Sequence, residues 1–143
     1  MISSDKAYIW MKVAKIIGTM STCPRRDVGA VILNDLGHVL STGFNGVPSG
    51  MTSCFDNDCG ASSEPTKDSL DKCIAVHAEM NALMQLRTPR EASVIIITSS
   101  PCKHCIKMLL NTEIRFIAYG ELYDQDAMVM WMDNERSYAS VPV

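Results

Sequence analysis

Apolar positions along the chain change period several times, and each change marks an element. Between residues 4 and 20, Ala7, Trp10, Met11, Ala14, Ile17 and Gly18 recur at helical spacing. That predicts an amphipathic core-packing helix, capped by Ser3 or Ser4 and ended by Ser21-Thr22-Cys23-Pro24. Val28 to Leu33 is a continuous apolar, largely β-branched run, suited to a central strand. Asn34-Asp35-Leu36-Gly37 carries hairpin-turn residues, so His38 to Phe44 is read as the returning strand. Further on, helices are predicted over 76–87, 103–112 and 123–132, with strands at 94–97 and 114–119 between them. Residues 136–143 add an edge strand, since Pro142 suits an edge or an end. The order α, β, β, α, β, α, β, α and a last strand predicts an α/β fold. It is a three-layer α/β/α sandwich on a mixed five-stranded sheet, with an antiparallel hairpin joined to strands reached by helical crossovers.

One stretch resists this patterning. Residues 51–72 are polar and irregular, too long for an ordinary connection, and are therefore expected to be functional or tied by metal. Composition then narrows the picture. With 143 residues, 47% of them hydrophobic, residues 1–143 are expected to form a single domain without disulfide staples. The net charge of −3 and the lack of a basic tract argue against a grip on long nucleic acid and favour a small substrate. No apolar run is long enough to span a membrane, and no secretory signal is evident, so a cytoplasmic protein with no membrane partner is expected. In that compartment thiols stay reduced, and six cysteines point to metal.

The candidate chemistry lies in two short motifs. His77-Ala78-Glu79 opens one predicted helix, and Pro101-Cys102-Lys103-His104-Cys105 opens the next. One imidazole and two thiolates make a three-ligand catalytic Zn2+ site with the fourth position left for water. Cys102 and Cys105 are three apart, so on a first helical turn both sulfurs face one side, where the helix end favours thiolate. Glu79, two residues past His77, is read as the catalytic proton carrier rather than a ligand. His104 is read as pointing elsewhere on the turn. A lone C-x-x-C also suits a structural zinc or a redox pair, but H-x-E with P-C-x-x-C is the signature of zinc-dependent base deaminases.

Four cysteines remain: Cys23, Cys54, Cys59 and Cys73. They equal one closed tetrahedral shell, read either as a second, structural Zn2+ or as buried free thiols. Arg25 and Arg26 precede the first strand and are read either as a solvated pair or, for Arg26 above all, as a phosphate contact. The loop Gly43-Phe44-Asn45-Gly46-Val47-Pro48-Ser49-Gly50 permits close approach of a ligand; the plainer alternative is a turn with Asn45 bonded to its own loop.

The chain resembles the cytidine and deoxycytidylate deaminase superfamily, and most of all its deoxycytidylate (dCMP) branch, phage and viral forms included. The resemblance rests on Ser21-Thr22-Cys23 with Val28 to Val31, on Thr42 to Gly46, on Cys73 to Ala82, on Ser100 to Cys105 and on Tyr119 to Asp124. It implies a cytidine-deaminase-like fold, with catalytic zinc on His77, Cys102 and Cys105 and proton transfer by Glu79. It implies that Asn45 meets the sugar, the Ala78 backbone meets the base, Tyr123 lies near the substrate and Arg26 is placed for the phosphate. Cys23 and Cys54, with Cys59 and Cys73 in a subset, match second-zinc positions. Gly43, Phe44 and Gly46 belong to an allosteric region. The implied protein is a homo-hexamer that turns dCMP into dUMP, activated by dCTP and inhibited by dTTP, with Mg2+ on the triphosphate, in the host cytoplasm if viral. The segment between Cys59 and Cys73 departs from the family pattern.

Other deaminases compete with this reading: one also accepting dCTP, a nucleoside cytidine deaminase, or a tRNA adenosine deaminase. The last expects a basic surface. A nucleotide-binding zinc scaffold competes from outside the enzymes, but has no need of Glu79.

Overall fold

The structure is a computed structural model that describes residues 2–59, 61 and 72–143. The middle of the irregular 51–72 stretch, including Ser62, Ser63 and Pro65, lies outside the described residues. Helix α1 spans Ser4–Gly18, and a hairpin of β1 (Gly29–Asn34) and β2 (Val39–Phe44) follows. Then come α2 (Ala78–Met84), a 3-10 turn at Pro89–Glu91, β3 (Ala92–Ser99), α3 (Lys103–Leu110), β4 (Phe116–Glu121), α4 (Gln125–Asp133) and β5 (Ser137–Ser140). The sheet order is β2-β1-β3-β4-β5. β1 runs antiparallel to both β2 and β3, whereas β3, β4 and β5 are parallel. This is the expected mixed five-stranded sheet, with β5 at the edge.

Alternation along the strands builds the two sides of the sheet. Val31, Leu33, Val94, Ile96 and Ala118 cluster with Met11 and Ala14 of α1. Ala30, Ile32, Ile95, Ile97 and Ile117 face the other way, onto Ala82 of α2, Ile106 and Leu109 of α3 and Trp131 of α4. One helix therefore covers one face and three cover the other, which gives the three expected layers. Gly29 permits the first packing: a Cβ there would lie 1.8 Å from the Ala14 carbonyl oxygen. Among the described residues, no helix is long and apolar enough to cross a membrane.

The boundaries differ from the periodic reading where side chains or loops intervene. The helix expected at 76–87 begins only after His77, because Val76 is paired with Gly46 in a β-bridge that keeps the approach extended. The strand expected at 114–119 starts at Phe116. Ile114 is fully buried, but in a turn where its N–H donates to Thr112 Oγ1. Tyr123 precedes α4, because Asp124 is the N-cap and accepts from Ala127 N–H at 2.9 Å.

Arg136 just precedes the edge strand, and its guanidinium reaches back to α3. It donates to the carbonyls of Leu109 at 3.2 Å, Leu110 at 2.9 Å and Ile114 at 2.5 Å, with Trp131 against its face. A cation on the last carbonyls of a helix satisfies orphan acceptors and opposes the dipole. Replacement of Arg136 by Ala is expected to cost about 2 kcal/mol and lower Tm by about 6 °C. Thermal melts of the two proteins check this.

Candidate functional site: a His/Cys/Cys centre beside a buried glutamate

Two helix starts meet at the ends of β2 and β3. His77 is the N-cap residue of α2, and Glu79 lies in its first turn. Cys102 is the N-cap residue of α3, delivered by β3 through Ser100-Pro101, and Cys105 is one turn further. Cys105 and Glu79 are buried, whereas His104 is exposed on the opposite side of the turn, as its spacing predicts.

The donor geometry fits a tetrahedral metal. His77 Nδ1 lies 3.6 Å from Cys102 Sγ and 3.4 Å from Cys105 Sγ. With Zn–N about 2.0 Å and Zn–S about 2.3 Å, a tetrahedral centre separates those donors by about 3.5 Å. Among the described residues, this is the group of three or more His, Cys, Asp or Glu whose ligand atoms lie within 4.8 Å of one another.

The site's proton affinities are tuned by its own contacts. Hydrogen bonding from the Cys105 thiol, then from His77 and the Cys105 backbone, outweighs burial and lowers Cys102 to about 3. Its partner Cys105 is pushed far above a normal thiol, first by that shared hydrogen bond and then by burial. His77 is raised, chiefly by its hydrogen bond with Cys102 and against burial. Burial pushes Glu79 up to about 7, opposed by its own backbone N–H, by His77 and by the Cys105 thiol. A thiolate is thus present at the metal position, and a carboxyl beside it exchanges a proton near neutrality.

The residues singled out for substrate line the same cleft as His77, Glu79 and Cys102: Arg26, Asn45, Ala78 and Tyr123. Asn45 does not bond its own loop. Its Oδ1 accepts from Val28 N–H at 2.9 Å, and its Nδ2 donates to the Arg26 carbonyl at 2.9 Å. An amide has one further N–H and one further lone pair beyond these. The Ala78 carbonyl faces Gly43, and its N–H, at the first position of α2, has no acceptor within the helix.

Gly43, Phe44 and Gly46 hold α2 in place. A Cβ on Gly43 would stand 2.2 Å from Ala78 O and 2.5 Å from Ala82 N, so only glycine lets the helix approach β2. The Phe44 carbonyl accepts from Asn81 Nδ2 at 2.7 Å. Gly46 exchanges both backbone hydrogen bonds with Val76, the residue before His77. Nothing in the periodicity signals this support; the glycine at 43 was legible, its reason was not.

None of the six cysteines is in a disulfide. Cys23 and Cys73 border the same cleft. Cys54 is pushed up to about 11, first by burial, then by a hydrogen bond with Cys59 and by the nearness of Cys59, Cys23 and Cys73. The four cysteines outside the triad therefore lie near one another, although no three of them bring their sulfurs within 4.8 Å of one another. Ser99 was not singled out from the sequence, yet it borders the cleft and accepts from Arg26 Nη2 at 2.9 Å.

Known proteins resemble this chain in sequence and fold. A deoxycytidylate deaminase of Saccharomyces cerevisiae is 31% identical over 119 residues, a match spanning 82% of this chain and 38% of the yeast protein. The chain thus covers well under half of that relative. A deoxycytidylate deaminase of Mycobacterium phage D29 is 29% identical over 116 residues, covering 77% of this chain and 90% of the phage protein. Among solved structures, the dCMP deaminase of cyanophage S-TIM5 in complex with dCMP and dUMP superposes with a TM-score of 0.79 and 26% identity, over 98% of this chain and 99% of that one. The profile of the cytidine and deoxycytidylate deaminase zinc-binding region matches residues 4–121, which hold His77, Cys102, Cys105 and Glu79. The chain belongs to the cytidine and deoxycytidylate deaminase zinc-binding family.

Proposed function

We propose that this chain hydrolyses dCMP to dUMP and ammonia, with zinc on His77, Cys102 and Cys105 and with Glu79 carrying protons. The observation that carries the reading is the buried Glu79 carboxyl beside a three-donor group whose imidazole stands at tetrahedral separation from both sulfurs. The likeness to a dCMP deaminase solved with dCMP and dUMP supports the choice of substrate. Zinc bound here supplies the Lewis acidity that brings a water's pKa toward neutrality. The chain's own residues do the rest. Glu79 takes a proton from the attacking water and passes it to N3 of cytosine as the oxygen adds at C4; it then carries the proton of the new C4 hydroxyl to the amine, so that the C4–N bond breaks, ammonia leaves and a C4 carbonyl remains. A carboxyl tuned near 7 suits both directions of transfer. The Ala78 N–H orients the base, the remaining amide capacity of Asn45 meets the sugar, and Arg26 takes the 5′-phosphate. Tyr123 closes the rim, where Ser100 Oγ accepts from its backbone N–H at 2.7 Å.

The reading extends to a second, structural zinc on Cys23, Cys54, Cys59 and Cys73, supported by their shared neighbourhood. It extends also to a cytoplasmic homo-hexamer activated by dCTP and inhibited by dTTP, with Mg2+ on the triphosphate. For that part the support is the family-like stretch through Gly43, Phe44 and Gly46.

Ammonia release from dCMP, dCTP, CMP, deoxycytidine and a tRNA anticodon stem tests the substrate, with dCTP and dTTP added separately to the dCMP reaction. Turnover of dCMP, shifted in opposite directions by the two triphosphates, is expected. Turnover of none of them by zinc-loaded protein would leave a nucleotide-binding scaffold. Metal analysis is expected to give about two zinc per chain, the sum of one catalytic and one structural shell.

A further inference from the structure

Arg26 is pinned at both ends. Its carbonyl accepts from Ser21 Oγ at 3.1 Å and from Asn45 Nδ2 at 2.9 Å. Its guanidinium lies against the Tyr123 ring, 4.3 Å from the centroid, and donates to Ser99 Oγ at 2.9 Å. Tyr123 is itself fixed, because Ser100 Oγ accepts from the N–H groups of Tyr123 and Asp124.

Among the described residues, the partners of the guanidinium are uncharged. The ion pairs among the described residues are Lys103–Asp126 and Arg115–Glu113, and Arg26 is in neither. An arginine that serves only structure is usually matched with a carboxylate or left to sweep through solvent. Here a permanent charge is held half-buried at the wall of the cleft, with guanidinium donors still able to take two oxygens of a phosphate. Ordering such a side chain before the ligand arrives removes part of the entropic cost of binding.

We propose that Ser99 is a positioning residue that, with the Tyr123 ring, presets Arg26 as the receptor for the substrate's 5′-phosphate and so makes the site favour nucleotides over nucleosides. Ser99 is 73 positions from Arg26 in the chain and 7% exposed, so its hydroxyl acts through the guanidinium rather than on solvent. The proposal rests on the deaminase reading for its substrate. It also links two receptors: Asn45, offered to the sugar, holds the backbone of the residue offered to the phosphate.

The test uses zinc-loaded protein, with Ser99→Ala, Arg26→Gln and the double variant. In turnover, Ser99→Ala is expected to raise KM for dCMP about tenfold while kcat falls less than about threefold. In calorimetric binding, dUMP weakens about tenfold and deoxyuridine less than about twofold. Added to Arg26→Gln, the Ser99 change has no further effect, since it acts through that side chain. Equal losses for dUMP and deoxyuridine, additive losses in the double variant, or wild-type protein that binds dUMP no better than deoxyuridine would each overturn the proposal. The binding arm stands apart from turnover. Wild-type protein that releases no ammonia from dCMP rejects the deaminase reading, whereas failure of the positioning role appears in dUMP affinity.

Discussion

Glu79→Gln is expected to lower kcat for dCMP by about 10³-fold or more while zinc content and fold are retained. The side chain is 4% exposed and is not among the three metal donors, so an isosteric amide leaves packing and ligation intact. It removes the proton carrier: an amide can neither accept the water's proton nor return it to the amine. A fall in KM together with kcat would mean that the carboxylate had been straining bound substrate. Loss of zinc would instead make Glu79 structural. Metal analysis and steady-state kinetics on the same sample separate these results. The substitution also bears on stability without metal. Burial raises Glu79 from an ordinary 4.5 to about 7, so the folded state favours the protonated form. Its contribution is fully present below pH 4.5 and is lost as pH rises through 7. Metal-free Glu79→Gln is therefore expected to be about 2–3 kcal/mol more stable than metal-free wild type at pH 8, and near equal at pH 4. Urea unfolding at the two pH values checks this.

The second large effect concerns Cys105. Cys105→Ala is expected to weaken zinc at the triad more than about 100-fold and to bring deamination to background. In the metal-free protein the Cys105 thiol is held protonated by its hydrogen bond with Cys102 and by burial, whereas Cys102 is already a thiolate. Zinc loading at pH 7 must therefore expel the Cys105 proton. The sign follows directly: protons compete with metal for that sulfur, so affinity falls as pH falls. Titrations of zinc into metal-free protein, in buffers of different ionisation enthalpy, are expected to report release of at least one proton. Cys105→Ala is expected to release fewer. Heat independent of buffer would contradict the protonation states described here.

What the sequence discloses about this site is local, and what it conceals is distant. His77, Glu79, Cys102 and Cys105 announce themselves because metal ligation demands fixed residue types at fixed spacings on helix starts. The strands of the core are equally legible, since the continuous apolar runs Ala30 to Leu33 and Val94 to Ile97 follow from having helices on both faces. Support for the site is another matter. Arg136 reaches carbonyls more than twenty positions away, and a backbone acceptor leaves no mark in the sequence. Gly43 reads as a strand-end glycine open to a ligand, and it does lie in β2, but the space beside it is taken by the backbone of α2. Asn45 does not bond its own loop: its side chain bridges Arg26 and Val28, 19 and 17 positions away, which no local pattern signals. The four remaining cysteines could be counted but not placed, because their proximity depends on how residues 23, 54, 59 and 73 fold together.

One experiment addresses hydrolytic deamination of dCMP most directly. Zinc-loaded protein is incubated with dCMP in water enriched in oxygen-18, and ammonia and nucleotide are followed together by assay and mass spectrometry. The account predicts one ammonia released per dUMP formed, one heavy oxygen in each new dUMP, and neither product after the zinc is stripped. Protein with full zinc that leaves dCMP unchanged, or dUMP that forms without the heavy oxygen, would contradict it.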